Sequence, residues 1–89
     1  MSIPRPKESK VRRLASKYVR QWYRDTDMLP PHEGLVIAMS LDTHASNRMA
    51  ERVAKATYDS LERRGLVTPV GKHTGRRHLT RRGYREFIR

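Results

Sequence analysis

Val11, Leu14, Ala15, Tyr18, Val19 and Trp22 recur at spacings of three and four, so about Glu8 to Arg24 predicts a helix with one apolar stripe. Arg13, Lys17, Arg20 and Arg24 fall on its other faces. Asp25 to Pro30 reads as a loop. From Pro31 the chain is apolar on nearly every side through Leu35, Val36, Ile37, Ala38, Met39 and Leu41. So short a run also fits a buried strand. A helix is the better reading, because the two prolines before it and the turn after it leave no partner strand nearby. Proline is tolerated in a first helical turn. A third helix is expected over about Ala45 to Arg64, with Ser46 as its N-cap and Ala50, Val53, Ala54, Thr57 and Leu61 as its inner stripe.

Gly65 should stop that helix in a left-handed position. Two short strands then follow, Leu66–Val70 and Arg76–Leu79, joined by a loop with Gly71 and Gly75 at its edges. Pro69 makes the first strand an edge or an irregular one. Thr80 is placed to cap a last helix, Arg81–Ile88, which buries Tyr84, Phe87 and Ile88. Residues 1–7 hold two prolines and two basic residues and read as a basic arm. The expectation is therefore one α+β domain over residues 8–89, mainly helical, with a two-stranded hairpin. There is no internal repeat.

Charge sharpens this picture. The 89 residues carry 20 Lys+Arg against 9 Asp+Glu, a net charge of +11. It comes in blocks: +7 over residues 1–24, −4 over 25–45, +2 over 46–64 and +6 over 65–89. A surface that only had to stay soluble would not need this blocking. A face built from both ends and a central helix, meeting a polyanion, would. Absence of cysteine excludes disulfides, thiolate zinc sites and a thiol nucleophile. No apolar run approaches the roughly 18 residues of a membrane span, and no signal-peptide core is seen at the N-terminus. A cytoplasmic, nucleoid-associated protein is expected.

The stretch Tyr58-Asp-Ser-Leu-Glu-Arg-Arg-Gly-Leu-Val67, followed by Gly75-Arg-Arg-His-Leu-Thr-Arg-Arg-Gly-Tyr84, resembles winged helix-turn-helix domains of MarR- and PadR-like regulators. There the recognition helix commonly closes in Leu-Glu-x-x-Gly-Leu, and the wing returns through Gly-Arg into Leu-Thr-x-x-Gly. The likeness covers about 27 residues. The chain departs from those regulators in lacking their long flanking dimerisation helices and room for an effector pocket. The resemblance implies the domain and its docking on double-stranded DNA, not ligand sensing.

Physical reasoning about the residues points the same way. An α-helix fits the major groove, and a basic loop beside it reaches a phosphate track or a minor groove. Arg48, Arg52, Lys55 and Asp59 lie opposite the core stripe of the third helix, with Glu51 among them. Asn47 suits adenine, and arginine suits guanine. The plainer alternative is a solvated face with Arg48 and Arg52 paired to Glu51. Lys72, His73, Thr74, Arg76 and Arg77 are the wing candidates. Arg5 and Lys7 would extend the contact from the arm.

Other chemistry is weak. Four scattered histidines without cysteine do not suggest a metal site, and Gly71 to Arg77 lacks the spacing of a phosphate-binding P-loop. No enzyme, cofactor or small-molecule effector is expected. The leading reading is a small transcriptional regulator, most naturally a repressor. In size it resembles repressors and accessory factors of phages, plasmids and prokaryotic genomes. It is expected to be a monomer in solution that pairs on DNA, or a weak dimer, through surplus aromatics at the ends of the first and last helices, drawn from Trp22, Tyr23, Tyr84, Phe87 and Ile88. The rivals are a basic RNA- or ribosome-associated protein, and a protein–protein adaptor docking through Asp25–Leu41.

Overall fold

A computed structural model describes residues 6–88 and shows four helices. They are α1 (Glu8–Thr26), α2 (His32–Thr43), α3 (Asn47–Arg63) and α4 (Arg81–Ile88). The helical spacings explain α1 and α3 directly. Val11, Ala15 and Val19 of α1 and Ala50, Val53, Ala54, Thr57 and Leu61 of α3 are buried, and these stripes pack together over Leu35 and Met39 of α2. Complete burial of a Leu or Val side chain stabilises by roughly 1.5–3 kcal/mol. The first three helices thus make the core, and Leu66, Val67 and Phe87 close it from the C-terminal side.

Local signals set the ends of the elements. Ser46 accepts a hydrogen bond from the Met49 N–H at 3.2 Å and caps α3. At the other end of α3, the Leu66 N–H donates to Leu61 O and the Gly65 N–H to Glu62 O. This double closure needs a left-handed residue, and Gly65 supplies it at φ +71°. The Thr80 hydroxyl accepts from the Gly83 N–H at 3.0 Å, which caps α4, and donates to Gly65 O at 2.6 Å. One side chain therefore fastens the start of α4 to the end of α3.

The hairpin does not form. Among the described residues there is no strand, only one isolated antiparallel bridge between Val67 and Leu79. The protein is helical, and the expected α+β fold with a two-stranded wing is overturned. Hydrogen bonding next to the bridge shows why. The Thr68 N–H donates to His78 O at 2.8 Å, as a ladder requires. The return bond is lost, because the His78 N–H goes to the Thr68 hydroxyl at 2.9 Å and the Thr68 carbonyl accepts from Arg77 at 3.2 Å. It is then Gly71, not Val70, whose N–H reaches Arg76 O. The pairing slips by one residue and the segment runs on as a loop.

α2 also differs from a helix apolar all round. Leu35, Met39 and Thr43 face the core, while Ile37 and Leu41 are 58% and 70% exposed. The end-of-chain aromatics are partly consumed by folding. Phe87 is buried, Tyr18 and Tyr23 pack on the core, and Tyr84 stays half exposed.

Candidate nucleic-acid interface

α3 is the best-defined polar surface on the chain. Its inner side is fully committed to the core, so Asn47, Arg48, Glu51, Arg52, Lys55 and Asp59 are all turned to solvent. They run from the Ser46-capped N-terminus towards the basic loop after α3. The pairing of Arg48 and Arg52 with Glu51 that the plainer alternative called for is absent among the described residues. Instead the Arg52 Nε donates to Glu8 of α1 at 2.6 Å, and Arg12 lies 3.7 Å from the same carboxylate. These guanidinium groups hold the Glu8 carboxyl below its ordinary range, the Arg52 hydrogen bond being the main cause. Arg12 thereby joins the α3 row, a neighbour that helical spacing within one element could not reveal. Asn47 accepts a hydrogen bond from the Ser40 hydroxyl at 3.1 Å, which steadies its carboxamide at the start of α3.

The loop residues divide. Lys72, His73, Thr74 and Arg76 are exposed, and the Thr74 hydroxyl accepts from the Arg76 N–H at 3.3 Å. Arg77 is different. Its guanidinium donates to Glu62 at 2.8 Å and to Thr68 O, and stacks 5.2 Å from the centre of the Tyr58 ring. It points back into the protein and is unsuited to a phosphate. Arg76→Ala should leave the melting temperature within about 2 °C of wild type, as exposed arginines contribute little. Arg77→Ala should cost about 1–2 kcal/mol, with solvent at Glu62 keeping the loss modest. Thermal denaturation followed by circular dichroism separates the two, and equal melting would show that Arg77 pins nothing.

Between the second half of α3 and the loop lies a groove of about 710 Å³. Its lining comes from Lys55, Tyr58 and Asp59 of α3, from Val70 and Gly75 to Leu79 of the loop, and equally from Asp27 to Pro31 of the α1–α2 connection and His32, with Tyr23 and Tyr84. Burial pushes the Tyr58 phenol well above its ordinary range, and its hydroxyl donates to Pro30 O. Tyr58 is thus a neutral strut tying α3 to the α1–α2 connection.

Arg5 lies outside the described residues. Lys7 is exposed and sits in an extended conformation as the N-cap of α1, where its carbonyl accepts from Lys10 and Val11. Further cations had no assigned role: Arg13, Lys17 and Arg20 on α1, and Arg81, Arg82 and Arg85 on α4, are all exposed. Their signal was the positive charge of the two end blocks. Arg20 also stacks over Phe87 at 5.5 Å, joining the outer surface of α1 to α4. Among the described residues no three metal-capable side chains gather, and no helix is long and apolar enough to cross a membrane. No family model, curated protein or solved structure matches the chain.

Proposed function

We propose that this protein binds double-stranded DNA with sequence preference, laying α3 in the major groove and the loop at residues 71–76 along the adjacent backbone. One observation carries the reading: α3 presents a continuous exposed polar row from a capped N-terminus, with Asn47 and Arg48 first and Arg52 and Lys55 behind them, while its other side is committed to the core. Residues near such an N-terminus reach base edges, and those further along drift towards the backbone. Asn47 and Arg48 are therefore the readers. Arg52 is steered towards α1 by Glu8 and, with Arg12, is better placed as a phosphate clamp. Glu51 and Asp59 repel phosphate and help set the docking register. Occlusion of a promoter, and hence repression, is the simplest use of a small domain of this kind.

Selection of bound duplexes from a random library tests the proposal, with transfer RNA and heparin as competitors. A defined motif that neither competitor displaces is the expected result. Preference for transfer RNA would favour an RNA-binding role instead. On the selected site Arg48→Ala should cost about 1–3 kcal/mol, and much less on random duplex. Arg52→Ala should weaken both by similar amounts. If Arg48→Ala also weakens both equally, α3 grips the backbone without reading bases.

A further inference from the structure

Among the described residues, nothing lies over an apolar stripe on α2. Glu33, Ile37 and Leu41 follow one another at four-residue spacing on a single face, and His44 ends the line as the C-cap residue. All four are exposed, and Ile37 and Leu41 are among the few large apolar side chains in that condition. Half-buried Ala38 lies beside them. Such a stripe on a highly charged protein calls for an occupant.

Charge selects which occupant. The stripe runs acid, apolar, apolar, imidazole. Turned end for end, the same series presents imidazole, apolar, apolar, acid. Two copies crossing antiparallel therefore set Glu33 against the partner's His44 and Ile37 against the partner's Leu41, twice over by symmetry. The imidazole N–H donates to the carboxylate at each end of the contact. A self-matching patch is what a two-fold interface requires. No Lys or Arg occurs from residue 25 to residue 47, and of the four acids there only Glu33 and Asp42 lie on α2, so this face sets less like charge against a second copy than the arginine-bearing faces do. The outer faces of α1, α3 and α4 all carry exposed arginines, so bringing two copies together on those faces opposes like charges.

We propose that α2 is a homodimerisation face, two copies pairing antiparallel through Ile37 and Leu41 with Glu33–His44 contacts at both ends. This moves the dimer contact away from the aromatics that close α1 and α4. It does not depend on the DNA-binding reading. The apolar contact is small, below the roughly 1,200 Å² of a standard interface, so the free protein should associate weakly, with a dissociation constant between about 10 µM and 1 mM.

Sedimentation equilibrium on the free protein, without nucleic acid, tests this up to about 1 mM chain. Wild type should shift from monomer to dimer across that range. Ile37→Glu combined with Leu41→Glu should remain monomeric throughout, with an unchanged helical circular dichroism spectrum, because both positions are exposed. Glu33→Lys should weaken the dimer at least about tenfold by setting a cation against His44. Adding His44→Asp should restore it, since aspartate tolerates the left-handed backbone there. The proposal is overturned by a wild type that stays monomeric to about 1 mM. It is equally overturned by a dimer that survives the double glutamate change, or by a Glu33→Lys defect that His44→Asp does not repair. DNA plays no part in these measurements, so their outcome stands apart from the failure or success of the duplex selection.

Discussion

Gly83→Ala should lower the melting temperature by about 12–24 °C, the equivalent of about 3 kcal/mol in a domain of this size. A Cβ built on Gly83 would lie 1.9 Å from the Leu66 carbonyl oxygen and 2.8 Å from its carbon. Neither is the flexible end of a side chain. The same oxygen accepts the Thr80 N–H at 3.0 Å, so it has no room to swing aside. α4 would have to lift off the end of α3, giving up the Thr80 hydroxyl bonds and the burial of Phe87. Arg82→Ala is the control, one residue away and exposed. It should melt within about 2 °C of wild type. If Gly83→Ala melts as Arg82→Ala does, α4 is not seated on Leu66.

The second large effect is on DNA affinity. If about six to eight cations meet phosphates, log K against log salt should fall with a slope near −5 to −7. Raising salt from about 50 to 200 mM would then weaken binding about 10³–10⁴-fold. Arg48, Arg52, Lys55, Lys72 and Arg76, with Arg12 brought alongside α3 by Glu8, supply the lower count. Arg77 adds nothing, its side chain being 17% exposed against Glu62, whereas Arg12 and Arg52 stay more than half exposed beside Glu8. Lys72→Ala and Arg76→Ala should each flatten the slope by about one, and Arg77→Ala should not. A wild-type slope shallower than about −2 would dispose of the electrostatic argument.

Much of the fold could be read from spacing. The stripes of α1 and α3 repeat cleanly enough to place both helices, and Ser46, Gly65 and Thr80 mark ends because each satisfies a backbone group that a helix terminus leaves open. α2 was readable as a helix but not as an oriented one, since Leu35 and Ile37 look alike until the core chooses between them. The hairpin failed for a reason no alternation of residues displays. Thr68 spends its hydroxyl and its carbonyl on separate partners, and Arg77 takes the carbonyl that a ladder needed. In the motif that suggested a wing, Leu61 to Leu66 and then Gly75 to Gly83, the stretch from Thr80 to Gly83 seats α4 on the end of α3, and no two-stranded wing forms among the described residues.

The candidate site was legible where it lies on one helix and illegible where it depends on distant pairs. Two adjacent arginines cannot be told apart by composition. Glu62, 15 residues back, makes Arg77 a brace and leaves Arg76 free to point outward. Glu8, 44 residues from Arg52, does the same work of sorting on α3.

The Arg77 brace also bears on what binding costs. With Arg77 anchored to Glu62 and Val67 bridged to Leu79, both stems of the loop are fixed to the end of α3 before any ligand arrives. At the tip only the side chains of Lys72 to Arg76 remain to be ordered, because its backbone is already closed by the Gly71 N–H on Arg76 O and the Gly75 N–H on Gly71 O. The entropy of immobilising the rest has already been spent in folding, so on the proposed reading α3 and its cationic tip would meet a duplex as one preformed piece. Their separation is then a ruler. Under the proposed DNA contact it would favour duplexes whose groove geometry already matches that fixed distance and penalise sequences that must be deformed to meet it.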